Sequence, residues 1–365
     1  MHHLVIHFLH INISMALQVV LLGFIGGVLS GFIGSGGAFF MTPGMMNLGV
    51  QGVVAVASNI THKFGKAMVG SRKHGEAGNV DKKLAVFVLG TAIIGIQIAV
   101  WIISMLFKGG ASHGSAKGAG ANLYISVVFA TILAFVAISM LRDLIKSSGQ
   151  EDSGAGPSRK IVDFMARLNL PPLIYFKVAD VKVSLWVILA VGIATGYLAG
   201  TIGVGGFIGV PAMIYVFGVP TAVATGTELY LAMFMGAFGA LSYAYQGFVD
   251  LRLTMLLYLG SLLGIYLGVY GVKVVNEKVI RLVTSLIILL CVLSRIIAIP
   301  IYLRQLDVIH LDPKWDVYFN LASKFFLFAS GISGCLVILF FVMRAYRQRR
   351  KIHKTLQVER VPLTP

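Results

Sequence analysis

Six predominantly apolar runs, residues 84–107, 122–145, 183–203, 253–275, 279–303 and 323–345, dominate the chain. Each reaches or exceeds the roughly 20 residues a helix needs to cross about 30 Å of hydrocarbon. Shorter or interrupted apolar stretches at 15–34, 36–48, 50–72, 204–219 and 221–245 fill most of the remainder. This pattern predicts an all-α polytopic membrane protein with little chain left for a soluble domain.

The pattern also repeats. At an offset of 169 residues, Gly23, Gly27, Gly31, Gly34, Gly36 and Gly37 recur as Gly192, Gly196, Gly200, Gly203, Gly205 and Gly206. After a small length change Pro43 answers Pro211, and Ala55-x-Ala57-Ser58-Asn59 aligns with Ala222-x-Ala224-Thr225-Gly226. The first offset returns where Gly78-x-Val80-Asp81 matches Gly247-x-Val249-Asp250 and Gly95 matches Gly264. Accident in a chain with 42 glycines would not hold one register so far, so the chain contains two copies of one unit.

Each unit has a first helix with glycine at every fourth position, a glycine-rich break, a short apolar piece, a helix with small polar residues, and two long spans. Five crossings is an odd number, which turns the second copy over relative to the first. Loop charges test this, because cytoplasmic loops retain Lys and Arg. The turn from His62 to Lys83 carries Lys63, Lys66, Arg72, Lys73, Lys82 and Lys83, whereas the equivalent turn from Tyr243 to Arg252 has only Arg252. We expect two inverted-topology repeats of about five transmembrane or half-membrane helices, plus one extra C-terminal helix. Four crossings per copy, with the short pieces re-entrant, would bring the basic tail out on the wrong side.

The expected segments are a lead-in at 1–14, a first repeat at 15–145, a cytoplasmic linker with a surface segment at 146–182 and a second repeat at 183–303. An external loop with the extra helix at 304–345 and a basic cytoplasmic tail at 346–365 complete the division.

Composition narrows the partners. A hydrophobic share of 57% against 12% charged places the chain in lipid. The formal charge of +16 would suggest nucleic acid in a soluble protein, but the basic residues fall in loops and tail, where topology puts them. No nucleic-acid partner is expected. Cys291 and Cys335 lie inside spans and read as small apolar fillers. The histidines of the lead-in lack metal-ligand spacing, and no Gly-x4-Gly-Lys-Ser/Thr loop occurs, so neither metal, cofactor nor nucleotide motor is expected.

The chemistry should sit at the breaks, Gly34-Ser35-Gly36-Gly37 and Gly203-Val204-Gly205-Gly206, each followed within seven residues by proline. A break frees backbone groups that lipid cannot satisfy, so it must be buried in protein or line a cavity. Paired interrupted segments at matching places in two halves point to a substrate site, and a helix beginning there offers N–H donors to an anion. Gly23, Gly27, Gly31 and their partners read instead as close helix packing.

The next helix of each half adds small polar groups: Ser58, Asn59 and Thr61 in one, Thr225, Gly226 and Thr227 in the other. Their hydroxyls and amides can donate to oxyanions, although Ser and Thr also bond back to their own helix. Lys63 is an anion partner by its depth, and Lys66 can snorkel to water. Glu228 suits proton coupling or an ion pair with Lys63. Asp81 and Asp250 read as helix N-caps.

The doubled Gly-x3-Gly-x2-Gly-x-Gly-Gly run with its following Pro, and Ala-x-Ala-Thr-Gly-Thr in the second copy, resembles the sulfite exporter TauE/SafE family, also called the toluene sulfonate uptake permease family. The resemblance covers about 17–303. Ser58-Asn59-Ile60-Thr61 departs from the second copy's Thr225-Gly226-Thr227. The resemblance implies a secondary transporter for sulfite, sulfonates or sulfoacetate in the bacterial cytoplasmic membrane, with a cytoplasmic C-terminus. Spacing alone supplies only a small anion. A passive anion channel uses the same donors. A membrane enzyme or metal-handling protein is disfavoured, because no Cys pair, His pair at helical spacing or nucleophile triad appears.

Overall fold

The computed structural model describes residues 11–33, 37–109, 118–147, 170–203, 205–275 and 277–358. Among these the chain is almost wholly helical. The first half runs α1 (Ile13–Ile33), α2 (Ala38–Asn47), α3 (Gly52–Glu76), α4 (Lys82–Gly109) and α5 (Ala119–Ser147). A hairpin, β1 (Leu173–Phe176) and β2 (Val181–Ser184), leads into the second half. There α6 (Leu185–Ile202), α7 (Gly206–Pro211) and a π-helical turn (Ala212–Val216) precede α8 (Thr221–Tyr245), α9 (Leu251–Val274) and α10 (Glu277–Gln305). The last helix, α11, runs from Trp315 to Val358. Helices α1, α4, α5, α6, α9, α10 and α11 are long and apolar enough to cross a membrane.

Packing follows the repeat. Helix α1 lies along α9, α4 along α6, α3 against α8 and α5 against α10, so each pair takes one member from each half. Because α1 corresponds to α6 and α4 to α9, the first pair is the second with the halves exchanged. The glycine stripes make both contacts. A Cβ on Gly23 would fall 2.6 Å from the Leu257 carbonyl oxygen, and one on Gly264 would fall 2.1 Å from that of Phe24. In the other pair, a Cβ on Gly196 would fall 2.0 Å from the Ala92 carbonyl oxygen and one on Gly95 2.2 Å from that of Ile193. Lipid gives no hydrophobic drive for helices to associate, so this backbone-on-backbone approach supplies the dispersion contacts that hold them.

Helices α3 and α8 cross in opposite directions. Gly70 of α3 faces Leu229, and Gly239 of α8 faces Ile60. Those four positions are related by the same 169-residue offset, and both helices also start and end in that register. This corrects the sequence alignment within the polar helices. Ser58 corresponds to Thr227 and Asn59 to Glu228, not to Thr225 and Gly226. The sequence match was drawn to the small residues, whereas packing preserves the crossing.

Short helix α2 folds back on α1, placing Gly37 beside Gly26 and Ser30, and Gly44 beside Leu22. It returns the chain so that α3 lies alongside α9 in the direction of α1. Pro43 sits inside α2 without ending it, whereas after Pro211 the second half continues as the π-helical turn.

Two segments differ from expectation. The surface segment folds as an antiparallel hairpin, with Leu173 opposite Ser184 and Phe176 opposite Val181, so the span expected from 183 begins at Leu185. Its anchor is Asp81, whose carboxylate accepts from the Leu84 N–H at the start of α4 (3.0 Å) and from Val178 and Ala179 in the turn (3.0 and 3.1 Å). Buried Phe176 packs edge-on against Phe87. The C-terminal tail, expected as a separate segment from 346, continues α11 as helix to Val358. The lead-in 1–10, most of the linker and residues 359–365 lie outside the described residues.

Candidate functional site

Three consecutive functions are set on one stretch of α3. Lys63 Nζ lies 4.0 Å from Glu228 Oε1 of α8, with side chains only 13% and 4% exposed. Neither that ammonium nor either carboxylate oxygen has a hydrogen-bond partner among the described residues. The pair therefore attracts without the directional bonds that usually compensate buried charge, which leaves donors and acceptors available to a third party. The carboxylate rests against α7, where a Cβ on Gly209 would fall 2.3 Å from Oε2.

One turn further on, Lys66 Nζ donates to Ser30 Oγ of α1 at 2.6 Å, so it points inward beside the first break and does not snorkel. On the adjoining face, His62 Nε2 is 2.7 Å from Ser261 Oγ of α9, and its ring is 4.6 Å from that of Tyr258. The Tyr258 hydroxyl donates to the Thr61 carbonyl (3.1 Å) and accepts from the Gly65 N–H (3.0 Å). An ordinary helix joins those two groups directly. The phenol therefore wedges into the ladder of α3 on either side of Lys63, a known cause of helix bending. Gly65 is required there, because a Cβ would fall 2.3 Å from that hydroxyl.

Asn59 ties both breaks to α3. Its Nδ2 donates to Thr42 Oγ1 of α2 at 2.8 Å, and the Thr42 hydroxyl donates to the Ile202 carbonyl at the end of α6, also at 2.8 Å. Gly203 sits against the Asn59 amide, in a left-handed conformation (φ 81°) that a side chain rarely adopts. Gly37 lies against the backbone of Gly26, and Gly205 against the side chains of Met235 and Ala199. Gly206 opens α7. Gly34, Ser35, Gly36 and Val204 lie outside the described residues.

The remaining polar candidates have local duties. Ser58 Oγ donates to the Asp250 carbonyl at 3.4 Å, and Thr227 Oγ1 accepts from the Asp81 N–H at 3.0 Å, so each polar helix braces the other half's loop. Thr61 and Thr225 donate to the carbonyls four residues back, Ala57 and Thr221, each at 2.8 Å. Gly226 permits close approach of the Asn79 carbonyl. The structure thus gathers Lys63, Glu228 and Asn59, adds Lys66, His62 and Ser30, and leaves Thr225 on the periphery. Lys63 faces Glu228 and Lys66 lies one turn away on Ser30, an excess of one cation over the acid that a small anion would neutralise.

A further buried cation, beyond Lys63 and Lys66, escaped sequence reasoning although it stands inside an apolar run. Arg295 of α10 is 1% exposed. Its Nη2 donates to Asn47 Oδ1 at the end of α2 and to Ser323 Oγ of α11 (3.0 Å). Ser294 Oγ donates to the Ser323 carbonyl at 2.7 Å, and Asn47 Nδ2 donates to Ser294 Oγ at 3.3 Å. A charge within a span was the signal that could have revealed it.

No group of His, Cys, Asp and Glu capable of holding a metal occurs among the described residues. The profile of the Sulfite exporter TauE/SafE family matches residues 19–295. A probable membrane transporter protein of Bacillus subtilis, YjnA, is 26% identical over 255 residues, covering 70% of this chain and 89% of the relative. A second from the same organism, YdhB, is 24% identical over 266 residues, covering 72% and 93%. No solved structure matches the chain.

Proposed function

The chain belongs to the Sulfite exporter TauE/SafE family, and from that premise we propose that it is a secondary transporter carrying a small sulfur-containing anion, of the sulfite, sulfonate or sulfoacetate class. The membrane is the bacterial cytoplasmic membrane. The observation that carries this reading is the buried Lys63–Glu228 pair with unused hydrogen-bonding capacity, one turn from Lys66 and with its carboxylate against Gly209 of α7. An arriving anion takes Lys63 away from Glu228. The released carboxylate then binds a proton, and a dianion accompanied by that proton neutralises the two lysines; a monoanion does so with Glu228 still ionised and carries no proton.

The two halves act as inverted repeats. Supporting this, equivalent helices α3 and α8 run antiparallel, and the basic loops fall on one side if the C-terminus is cytoplasmic. A cysteine placed near Lys82 should then label from the cytoplasm only, and one near Arg252 from outside only. Labelling of both from one face would reject the inversion. For function, the purified protein in proteoliposomes should accumulate labelled sulfite or a short sulfonate, faster under an imposed proton gradient. Uptake indifferent to that gradient would replace coupling by passive conduction, and absence of uptake for every sulfur anion tried would overturn the assignment.

A further inference from the structure

We propose that Arg295 is a positioning residue for transport: it clamps the far end of short helix α2, and through Ser323 it makes helix α11, which lies outside both repeats, part of the site's framework. This rests on the reading that the break before α2 adjoins the anion site.

The placement argues for a clamp. Arg295 is fully buried in a membrane helix, and no acidic side chain forms a salt bridge with it among the described residues. A cation kept there without a counter-ion must be held by dipoles, and besides the side chain of Tyr302 on its own helix it has three sources. Asn47, the last residue of α2, supplies its amide oxygen. Ser323 supplies its hydroxyl. The third is the C-terminal end of α2, where the helix dipole is negative. Ser294 and Ser323 lock α10 to α11 beside it. Higher up, Gly331 of α11 lets the Phe40 ring of α2 approach, its missing Cβ being 2.5 Å from Cζ. Helix α2 is thus pinned along one side and at its end by elements beyond its own repeat.

The other end of α2 is where the pinning matters. Gly37 is packed on Gly26 and Ser30, and Ser30 receives Lys66. Thr42, one turn into α2, receives Asn59. A helix of 10 residues is rigid over its length of about 15 Å. Displacing its C-terminus therefore displaces Thr42 against Asn59, and Gly37 against Gly26 and the Lys66 partner Ser30. The corresponding segment of the second half ends in the π-helical turn, closed by backbone bonds from Phe217 to Ala212 and from Val219 to Met213. π-Helical turns are frequent at functional sites, and the pinned α2 thus has a differently built counterpart in the second half.

The test uses full-length protein in nanodiscs and proteoliposomes, with Arg295→Lys, Arg295→Met and Ser323→Ala. Hydrogen exchange reads the clamp without reference to substrate. Arg295→Met should accelerate exchange across 38–50 roughly tenfold while leaving 185–202 and 251–274 unchanged. In sulfite uptake, the half-saturating concentration should rise roughly tenfold at a less affected maximal rate, with Arg295→Lys intermediate because it keeps the charge but not the fork. Uniform acceleration of exchange over all helices would reduce Arg295 to a general stability role and overturn the proposal, as would unchanged exchange at 38–50. If Arg295→Met does not fold, Ser323→Ala must show the same local acceleration, and its failure to do so counts against the clamp. Local acceleration without any sulfite uptake by the unsubstituted protein would uphold the clamp and reject the assigned substrate instead.

Discussion

The two broken segments stand on equivalent scaffolds and are furnished differently. Beside the first, Ser30 of α1 and Lys66 of α3 form a charge-assisted hydrogen bond. At the positions 169 residues later, Ala199 and Met235 close apolar atoms over Gly205. The acid lies on the other side of the crossing, where Glu228 occupies the place that Asn59 has in the first half. On two similarly packed scaffolds, the site's lysines stand on one half and its acid on the other.

The largest expected effect comes from breaking that cross-half pair. Lys63→Ala leaves Glu228 buried beside α7 without its counter-charge, which should cost about 3–5 kcal/mol of stability and abolish uptake. Adding Glu228→Gln should restore most of the thermal stability but not the flux. A double variant as unstable as the single one would mean that the pair is not what compensates the carboxylate.

A milder change makes the first half resemble the second. Ser30→Ala with Lys66→Met should raise the half-saturating anion concentration roughly tenfold or more, the loss of one charge-assisted contact. Melting in detergent should stay level or rise, because a buried polar pair gives way to apolar packing. Unaltered uptake would confine Lys66 to structure and leave Lys63 as the sole cation of the site.

The smallest contrast concerns the two loop aspartates. Asp81 accepts from three backbone donors in two elements, whereas Asp250 caps α9 at Arg252 and pairs with that residue's half-exposed side chain. Asp81→Ala should therefore lower stability by about 2 kcal/mol and Asp250→Ala by about 1 kcal/mol. Equal losses in thermal unfolding would show that the hairpin adds nothing to its anchor.

Much of this was legible before any coordinates. The glycine stripes announced the close helix pairs because only glycine lets backbones touch, and that constraint leaves a periodic mark. Lys63 and Glu228 stood out because charge is rare within a span. The register of α3 against α8 was not legible, since Ser58 and Thr227 are recognised by what they brace across the interface and not by their neighbours in sequence. The hairpin is hidden for a similar reason: its strands are only four residues each, and the Asp81 carboxylate that anchors its turn lies 97 and 98 residues before the donors. Arg295 is visible as a letter, but its partners Asn47 and Ser323 come from two other helices.

The interlocked pairs have a consequence for how the chain is made. Helix α1 leaves the ribosome early, yet the partner whose backbone fits its glycine face, α9, begins about 220 residues later, a delay on the order of 10–40 seconds at about 5–20 residues per second. Helix α4 waits for α6 over a shorter interval. Throughout that time the newly inserted first half presents grooves of bare backbone to lipid, and whatever occupies them must leave before the halves can close on each other.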